Sequence, residues 1–156
     1  MFYKYKIVKD DIMTVKMTLL VYEVFERFEK LKTKQEKISH LQQHNSHALQ
    51  SVLRGTFDDK VQWLLPAGDP PYTPAQIASV PSNLLKQHTK FLFFVKGVKQ
   101  AEDLPAFKRE RIFLDMLESI HPEDAQVLLK MKDKKPPAKG LTKKLVQEAF
   151  PNLISG

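Results

Sequence analysis

The chain has 156 residues, a formal net charge of +7 and no cysteine. That length is typical of a single domain, and the lack of cysteine excludes disulfides, thiolate metal sites and cysteine nucleophiles. The sequence contains neither a glycine-rich phosphate-binding motif nor an apolar run long enough to span a bilayer. Phosphate binding through a glycine-rich loop and a membrane-spanning helix are therefore excluded.

The N-terminal residues 1–16 contain no apolar repeat of helical spacing. Aromatic and aliphatic residues alternate with lysines over residues 3–7, a pattern typical of a strand. We predict that the domain begins near Met17, with Thr18 as the N-cap of the first helix. Residues 1–16 are then an N-terminal extension, either frayed and disordered or the result of a start codon placed too early, and a short strand is the alternative.

Three helices are predicted at the start of the domain. Over residues 18–32, apolar side chains recur at spacings of three and four, as they do on the buried face of a helix. A second helix is predicted over residues 34–44. Ser46 is predicted to cap a third helix, and Gly55 is predicted to end it in a left-handed C′ position.

Residues 56–81, called the proline segment below, contain half of the prolines in the chain. They are Pro66, Pro70, Pro71, Pro74 and Pro81. No helix tolerates that density of proline, because each one removes a hydrogen-bond donor and clashes with the preceding turn. The segment is too apolar for a free linker. We therefore predict that it wraps irregularly over the surface and is pinned there by its apolar side chains.

Helices are predicted again over residues 82–95, 104–120, 122–131 and 142–150. Ser82 is predicted to cap the first, Pro122 to occupy the N1 position of the third, and Thr142 to cap the last. No strand pattern of comparable strength competes with them. The predicted fold class is all-α, a compact bundle of six or seven short helices that forms one domain over residues 17–156.

The positive charge is concentrated in residues 130–144, called the lysine segment below, which carry a net charge of +6. We predict a flexible loop that contacts phosphate groups, since lysines bind polyanions without reading base sequence. The predicted nucleic-acid-binding residues are Lys130, Lys132, Lys134, Lys135, Lys139, Lys143 and Lys144. Arginines and aromatic residues, which add base readout and stacking, are absent between them. The alternative is a solvated charge run that keeps the protein soluble.

The proline segment carries a second hypothesis, a surface that docks another protein with aromatic residues as its anchors. The predicted protein-binding residues are Trp63, Pro66, Pro70, Pro71 and Tyr72. For Trp63 the alternative is that its ring packs against the helical core.

Neither a metal site nor a catalytic residue is expected. His40, His44 and His47 have a spacing that a continuous helix would place on one face, as in a zinc site. However, a predicted helix break follows His44, and no carboxylate lies nearby in the sequence to complete the ligand set.

The acidic pairs Asp58–Asp59, Glu102–Asp103 and Glu123–Asp124 fall at predicted helix starts or loops, where they compensate the helix dipole. Ser46, Ser51 and Ser82 lack the local sequence of a nucleophile elbow. We expect a protein that is not an enzyme and that uses no cofactor and no small-molecule substrate.

Four stretches taken together carry a family resemblance. They are MTLLVYEVFERFEKLKTKQEKISHLQQHNSHALQSVLRGTFDD, WLLPAGDPPY, FLFFVKG and LESIHPEDAQVLLKMKDKKPPAKGLTKKLVQEAFPNL. With these, the chain resembles a family of uncharacterised small proteins from T-even-like tailed phages, notably those that infect marine cyanobacteria. The resemblance covers about residues 17–153 and implies no active-site residues. Residues 1–16 depart from the family's pattern.

The resemblance implies a phage product that acts in the cytoplasm of an infected bacterium, with the virion as the alternative location. Together with the charge pattern, it predicts a non-enzymatic accessory protein that engages nucleic acid, or a nucleic-acid-bound complex of phage or host proteins, through the lysine segment. The alternative is a protein–protein adaptor or virion component that docks through the proline segment. No membrane partner is expected, and the sequence does not predict the oligomeric state.

Overall fold

A computed structural model describes residues 5–8 and 11–155 of the chain. Within them lie eight α-helices: α1 Val21–Glu29, α2 Lys34–Gln43, α3 His47–Phe57, α4 Leu84–Gln87, α5 Lys99–Glu102, α6 Ala106–Ser119, α7 Pro122–Lys132 and α8 Lys143–Ala149. Two 3-10 helices, Ile77–Ser79 and His88–Phe94, flank α4. The predicted all-α fold class is confirmed.

A short antiparallel hairpin precedes the helices, with strand β1 at Tyr5–Val8 and strand β2 at Asp11–Met17. Its sequence is rich in β-branched residues, which favour extended backbone. The short strand, which was the alternative for the N-terminal extension, is therefore present over these residues. Residues 1–4, 9 and 10 of the predicted extension lie outside the described residues, and the domain boundary near Met17 stays a prediction.

Helix α7 occupies the centre of the helical part and packs against α1, α3 and α6. Its apolar side chains are buried on more than one face, which is typical of a helix enclosed by others. They are Ala125, Val127, Leu128, Leu129 and Met131. Helix α2 packs against α1 and α8, so that the C-terminal helix closes the bundle on the side of the first two.

The predicted start of the first helix is wrong, because Thr18 is exposed and α1 begins at Val21. The carboxylate of Glu23 accepts a hydrogen bond from the backbone N–H of Leu20, at 2.9 Å. This contact satisfies the N–H of Leu20, the residue that precedes α1, and Leu20 occupies the N-cap position instead of Thr18. By contrast, Ser46 caps α3, as predicted, by accepting the N–H of Leu49 at 3.0 Å.

Gly55 does not end α3, which continues to Phe57. Gly55 lies inside the helix, and no larger residue fits there. A β-carbon built at this position would come within 2.5 Å of Trp63 Cζ2 and 2.9 Å of Met131 Sδ. A glycine in this sequence therefore marks a close approach of neighbouring side chains, and the left-handed cap was the wrong interpretation.

The predicted helix over residues 82–95 is replaced by the short α4 and a 3-10 helix, and its cap is Asn83 instead of Ser82. The 3-10 helix repeats every three residues, so Phe91 and Phe94 are both buried while Leu92 is 38% exposed. On the continuous helix predicted over residues 82–95, Leu92 would face inward together with Phe91, and this interpretation is wrong. The predicted positions of Pro122 at the start of α7 and of Thr142 as the cap of α8 are confirmed.

None of the described helices is both long and apolar enough to cross a membrane.

Asp124, in the first turn of α7, is fully buried instead of lying at a solvated helix end. Its Oδ1 accepts the backbone N–H of Tyr22 at 2.9 Å, which joins the first turns of α1 and α7. Its Oδ2 is buried without a hydrogen-bond partner among the described residues. Burial raises the pKa of Asp124 to about 7; the bond from Tyr22 lowers it, and the charge of Glu23 adds to the rise.

We predict that replacing Asp124 by asparagine changes how stability depends on pH. The unfolded carboxyl loses its proton near its ordinary pKa of 3.8, whereas the folded one keeps it until about pH 7. The native protein therefore loses stability as pH rises between those values and no further above them. The asparagine side chain would stay neutral and would still accept the Tyr22 N–H. The stability of Asp124→Asn relative to the native protein should rise across this range by about 4 kcal/mol at most.

Urea unfolding of both proteins over a series of pH values measures this difference. Glu123→Gln is the matched control, because Glu123 lies beside Asp124 in the same turn and is exposed. A difference between Asp124→Asn and the native protein that does not vary with pH would contradict the prediction.

Candidate functional site

The lysine segment begins inside α7, which ends at Lys132, so its first residues are helical. The N–H of Lys134 donates to the carbonyl of Met131 at 3.0 Å, and the N–H of Lys135 donates to that of Lys130 at 2.8 Å. These two bonds form a Schellman motif, in which Lys134 occupies the left-handed position with a φ of 60°. Glycine normally takes that position, since other residues pay a steric cost there.

The side chain of Lys134 makes two contacts in return. Its ammonium donates to the carbonyls of Gly55 and Asp58, at 2.8 and 2.9 Å. Both carbonyls lie at the C-terminal end of α3, where a positive charge is favourable because of the helix dipole. Burial lowers the pKa of Lys134, while Asp58 and Asp59 raise it. Lys134 thus acts as a cap that ties the lysine segment to α3.

Lys132 points into the protein, and its side chain is only 2% exposed. Its ammonium donates to the carbonyls of Pro66 and Gly68, at 3.0 and 2.8 Å, and forms an ion pair with Asp133 at 2.7 Å. Asp133 also accepts the N–H of Gly68. Lys132 therefore fastens the proline segment to the end of α7, and in this conformation its charge does not reach a surface ligand.

The rest of the lysine segment is anchored, in contrast to the flexible loop that was expected. Ala138 and Leu141 are buried in the core, and the backbone N–H of Lys139 donates to Glu29 at the end of α1. Lys37 of α2 adds a charge that the sequence did not indicate, because a β-carbon on Gly140 would lie 3.1 Å from its Nζ.

Five lysines of the segment remain for an external ligand. Lys130, Lys135, Lys139 and Lys144 are exposed, and within residues 18–155 none of them forms an ion pair. Lys143 is half-buried and lies 3.6 Å from Asp59. Lys130 also lines a cavity together with acidic side chains, which offset part of its charge. The structure thus divides the predicted set into five surface lysines and two, Lys132 and Lys134, that bond within the protein.

Trp63 belongs to the interior, as the alternative for this residue predicted. Its indole N–H donates to the carbonyl of Gly55 at 3.0 Å, and its ring packs edge-to-face against Phe91. The backbone on either side of it pairs with residues next to Val95 through an isolated β-bridge. A partner protein that docked here could not use the tryptophan as an exposed anchor.

The prolines of the predicted docking surface lie apart from Trp63. Pro66, Pro70 and Pro71 line a cavity of about 200 Å³ between the proline segment and α6, called the proline cavity below. Tyr72 is half-buried beside it, and its hydroxyl accepts a bond from Gln126 of α7 at 3.4 Å. The structure therefore brings the three prolines together, and neither Trp63 nor Tyr72 lines the cavity.

The three histidines do not converge. His40 is buried, and its Nε2 lies 2.8 Å from the carbonyl of Val24. Its ring contacts His44 edge-on, whereas His47 begins the next helix and is exposed. Within the described part of the chain, no group of three or more histidine or acidic side chains could hold a metal ion.

The candidate acids and nucleophiles serve local structure. Asp58 lies at the C-cap of α3, and its carboxylate accepts the N–H groups of Lys60 and Ser155. Glu102 and Asp103 likewise lie at the end of α5. Ser51 Oγ lies 3.3 Å from His88 Nδ1, but no carboxylate among residues 18–155 bonds to that imidazole. Burial and the charge of His47 lower the pKa of His88. Without a carboxylate bonded to the imidazole, the pair lacks the acid that orients a catalytic base.

Comparison with known proteins identifies one family. A model described as a family of unknown function (DUF6433) matches residues 24–136, from α1 to the middle of the lysine segment. No curated protein matches the chain. The expected resemblance to an uncharacterised family is confirmed over this range, which includes the proline cavity and ends before Lys139.

We predict that Lys132→Met destabilises the fold although it keeps an unbranched side chain of similar length. The change leaves the carbonyls of Pro66 and Gly68 and the carboxylate of Asp133 without their buried donor, which should cost about 2–4 kcal/mol. Lys130→Met is the matched control on the same helix, because Lys130 is exposed, and it should change stability by less than about 0.5 kcal/mol. Urea unfolding measures both variants, and equal effects would show that the inward contacts of Lys132 do not stabilise the protein.

Proposed function

We propose that this chain, which belongs to a family of unknown function, DUF6433, is a non-enzymatic module that binds nucleic acid through the exposed lysines of the lysine segment. The observation that carries the proposal is the accessibility of five lysines within one segment: Lys130, Lys135, Lys139 and Lys144 are exposed, and Lys143 is half-buried. Because Ala138 and Leu141 anchor the backbone between them, these lysines lose less backbone freedom on binding than those of a loose tail would.

The chemistry of the surface favours contact with phosphates over readout of bases. Lysine is a strongly hydrated point charge, and the segment carries no arginine and no aromatic residue to pair with or stack on a base. Binding of this kind is independent of sequence and depends strongly on salt, since each phosphate contact releases a counterion. The resemblance to phage proteins adds the proposal that the ligand is met in the cytoplasm of an infected bacterium, or in the virion.

We predict that a variant with these five lysines changed to glutamine loses its affinity for DNA. For the native protein, the logarithm of the binding constant should fall with the logarithm of salt concentration with a slope of up to about −4.5 on duplex DNA. The variant should have a slope near zero. Lys132 and Lys134 stay unchanged, so the fold keeps its internal contacts. Fluorescence anisotropy of a labelled duplex over a range of salt concentrations measures both constants.

The control removes the same charge elsewhere, from exposed lysines that follow the proline segment. These are Lys86, Lys90, Lys96, Lys99 and Lys108. If the control loses as much affinity as the first variant, net charge alone accounts for binding and the lysine segment is not the site.

A second candidate function is a protein–protein adaptor that docks through the proline cavity. The observation that favours it is a cavity of about 200 Å³ whose walls are mainly apolar, next to exposed prolines. Apolar concave surfaces of this kind are where a partner's anchoring side chain is buried.

We predict that Ala67→Phe fills the proline cavity and releases a protein partner without unfolding the domain, because Ala67 lines the cavity and is exposed. Ala78→Phe is the matched control, an exposed alanine of the same segment outside the cavity. Affinity purification from nuclease-treated lysate, followed by mass spectrometry, compares the two variants with the native protein. A partner that Ala78→Phe retains and Ala67→Phe loses is the expected result, and identical partners for all three proteins would rule out docking at this cavity.

A further inference from the structure

The proline cavity combines apolar walls with a negative rim. Leu65, Pro66 and Pro70 form the wall on the side of the proline segment, and Phe113 and Leu114 form the wall on α6. Asp69 and Glu110 also line the cavity, and both are exposed. Within residues 18–155 neither carboxylate forms a hydrogen bond or an ion pair. The site therefore offers two uncompensated negative charges beside a space from which water is partly excluded.

The lysine in the cavity wall does not neutralise that rim. Although Lys132 contributes to the lining, its ammonium is held by the carbonyls of Pro66 and Gly68 and by the carboxylate of Asp133. The charges of Lys132 and Asp133 balance each other in this ion pair. The charge of Asp69 and Glu110 thus remains available to a ligand.

An exposed aromatic ring extends the surface along α6. Phe107 is 71% exposed, although it is one of the apolar residues of the helix predicted over residues 104–120. It precedes Glu110 by three residues and Leu114 by seven, so these three side chains lie on one stripe of the helix. The stripe runs from an exposed ring through a carboxylate to the cavity wall.

We propose that the proline cavity binds the side chain of an arginine from a partner protein. The proposal rests on the second of the two functions above and names the chemistry of that partner. An occupant must match an apolar interior and a negative rim, which requires an apolar stem that ends in a cation. Arginine fits better than lysine, because the flat guanidinium stacks on ring faces and can bond to a carboxylate through two parallel hydrogen bonds.

The size of the cavity agrees with a single side chain. A cavity of about 150 Å³ is sufficient to hold benzene, and the proline cavity has about 200 Å³. The exposed Phe107 would then cover the apolar part of the partner's backbone next to the arginine.

The test uses acetylated arginine amide as the probe and the full chain labelled at its leucine methyl groups. Saturable NMR shifts confined to Leu65 and Leu114 are the expected result. The citrulline amide, which has nearly the same shape and no charge, should bind about tenfold more weakly, since a charge-assisted hydrogen bond is lost. Glu110→Gln should weaken arginine binding by a similar factor. Asp115→Asn is the matched control, an exposed carboxylate of α6 that does not line the cavity.

Three results would overturn the assignment of arginine: equal binding of the citrulline or lysine amide, no effect of Glu110→Gln, or the absence of any shift at Leu65 and Leu114. The comparison of Ala67→Phe with Ala78→Phe then separates the two levels of the proposal. If Ala67→Phe still releases a partner, the cavity docks a protein through another side chain and only the arginine is wrong. If it releases none, the docking function fails as well.

Discussion

The burial of α7 within the bundle is the constraint on which the rest of the structure depends. A helix that packs against α1, α3 and α6 leaves little surface for its polar residues, yet its sequence places a carboxylate near one end and an ammonium at the other. Both bond to backbone groups of neighbouring elements: one carboxylate oxygen of Asp124 accepts the N–H of Tyr22, and Lys132 donates to the carbonyls of Pro66 and Gly68. These contacts hold the start of α1 and the proline segment against the same helix.

This arrangement reduces the number of lysines in the lysine segment that can contact an external ligand. Composition suggests seven equivalent cations, but the structure uses Lys132 to hold the proline segment and Lys134 to cap α3. This second role has a steric cost, because Lys134 occupies a left-handed backbone position that favours glycine. From that position its ammonium bonds to two carbonyls. Charge within a basic segment is therefore a poor measure of charge available to a ligand until the partners of each nitrogen are known.

The sequence predicted most helices correctly because apolar periodicity, caps and prolines are local signals. It predicted the cap at Ser46 and the proline at the start of α7, and it failed where a distant residue decides the outcome. Gly55 was interpreted as a helix end, since no nearby residue in the sequence indicates that Trp63 and Met131 pack closely against it. A signal for Lys132 was present, however. It follows Leu128 by four residues and Leu129 by three, which places it on the buried stripe of α7.

The same helical geometry separates the two candidate surfaces. Lys130 lies on the exposed side of α7 and belongs to the basic surface, which consists of the five lysines proposed to contact nucleic acid. Lys132 turns inward and forms part of the wall of the proline cavity. A change of charge on the basic surface leaves the contacts of Lys132 intact, and a ligand in the proline cavity meets Asp69 and Glu110 instead of the lysines. The exposed lysines and the carboxylates at the proline cavity have opposite charge, and Lys130 and Lys132 lie on different sides of α7. Binding at one surface therefore need not compete with binding at the other, which is what a module that joins a polyanion to a basic protein requires.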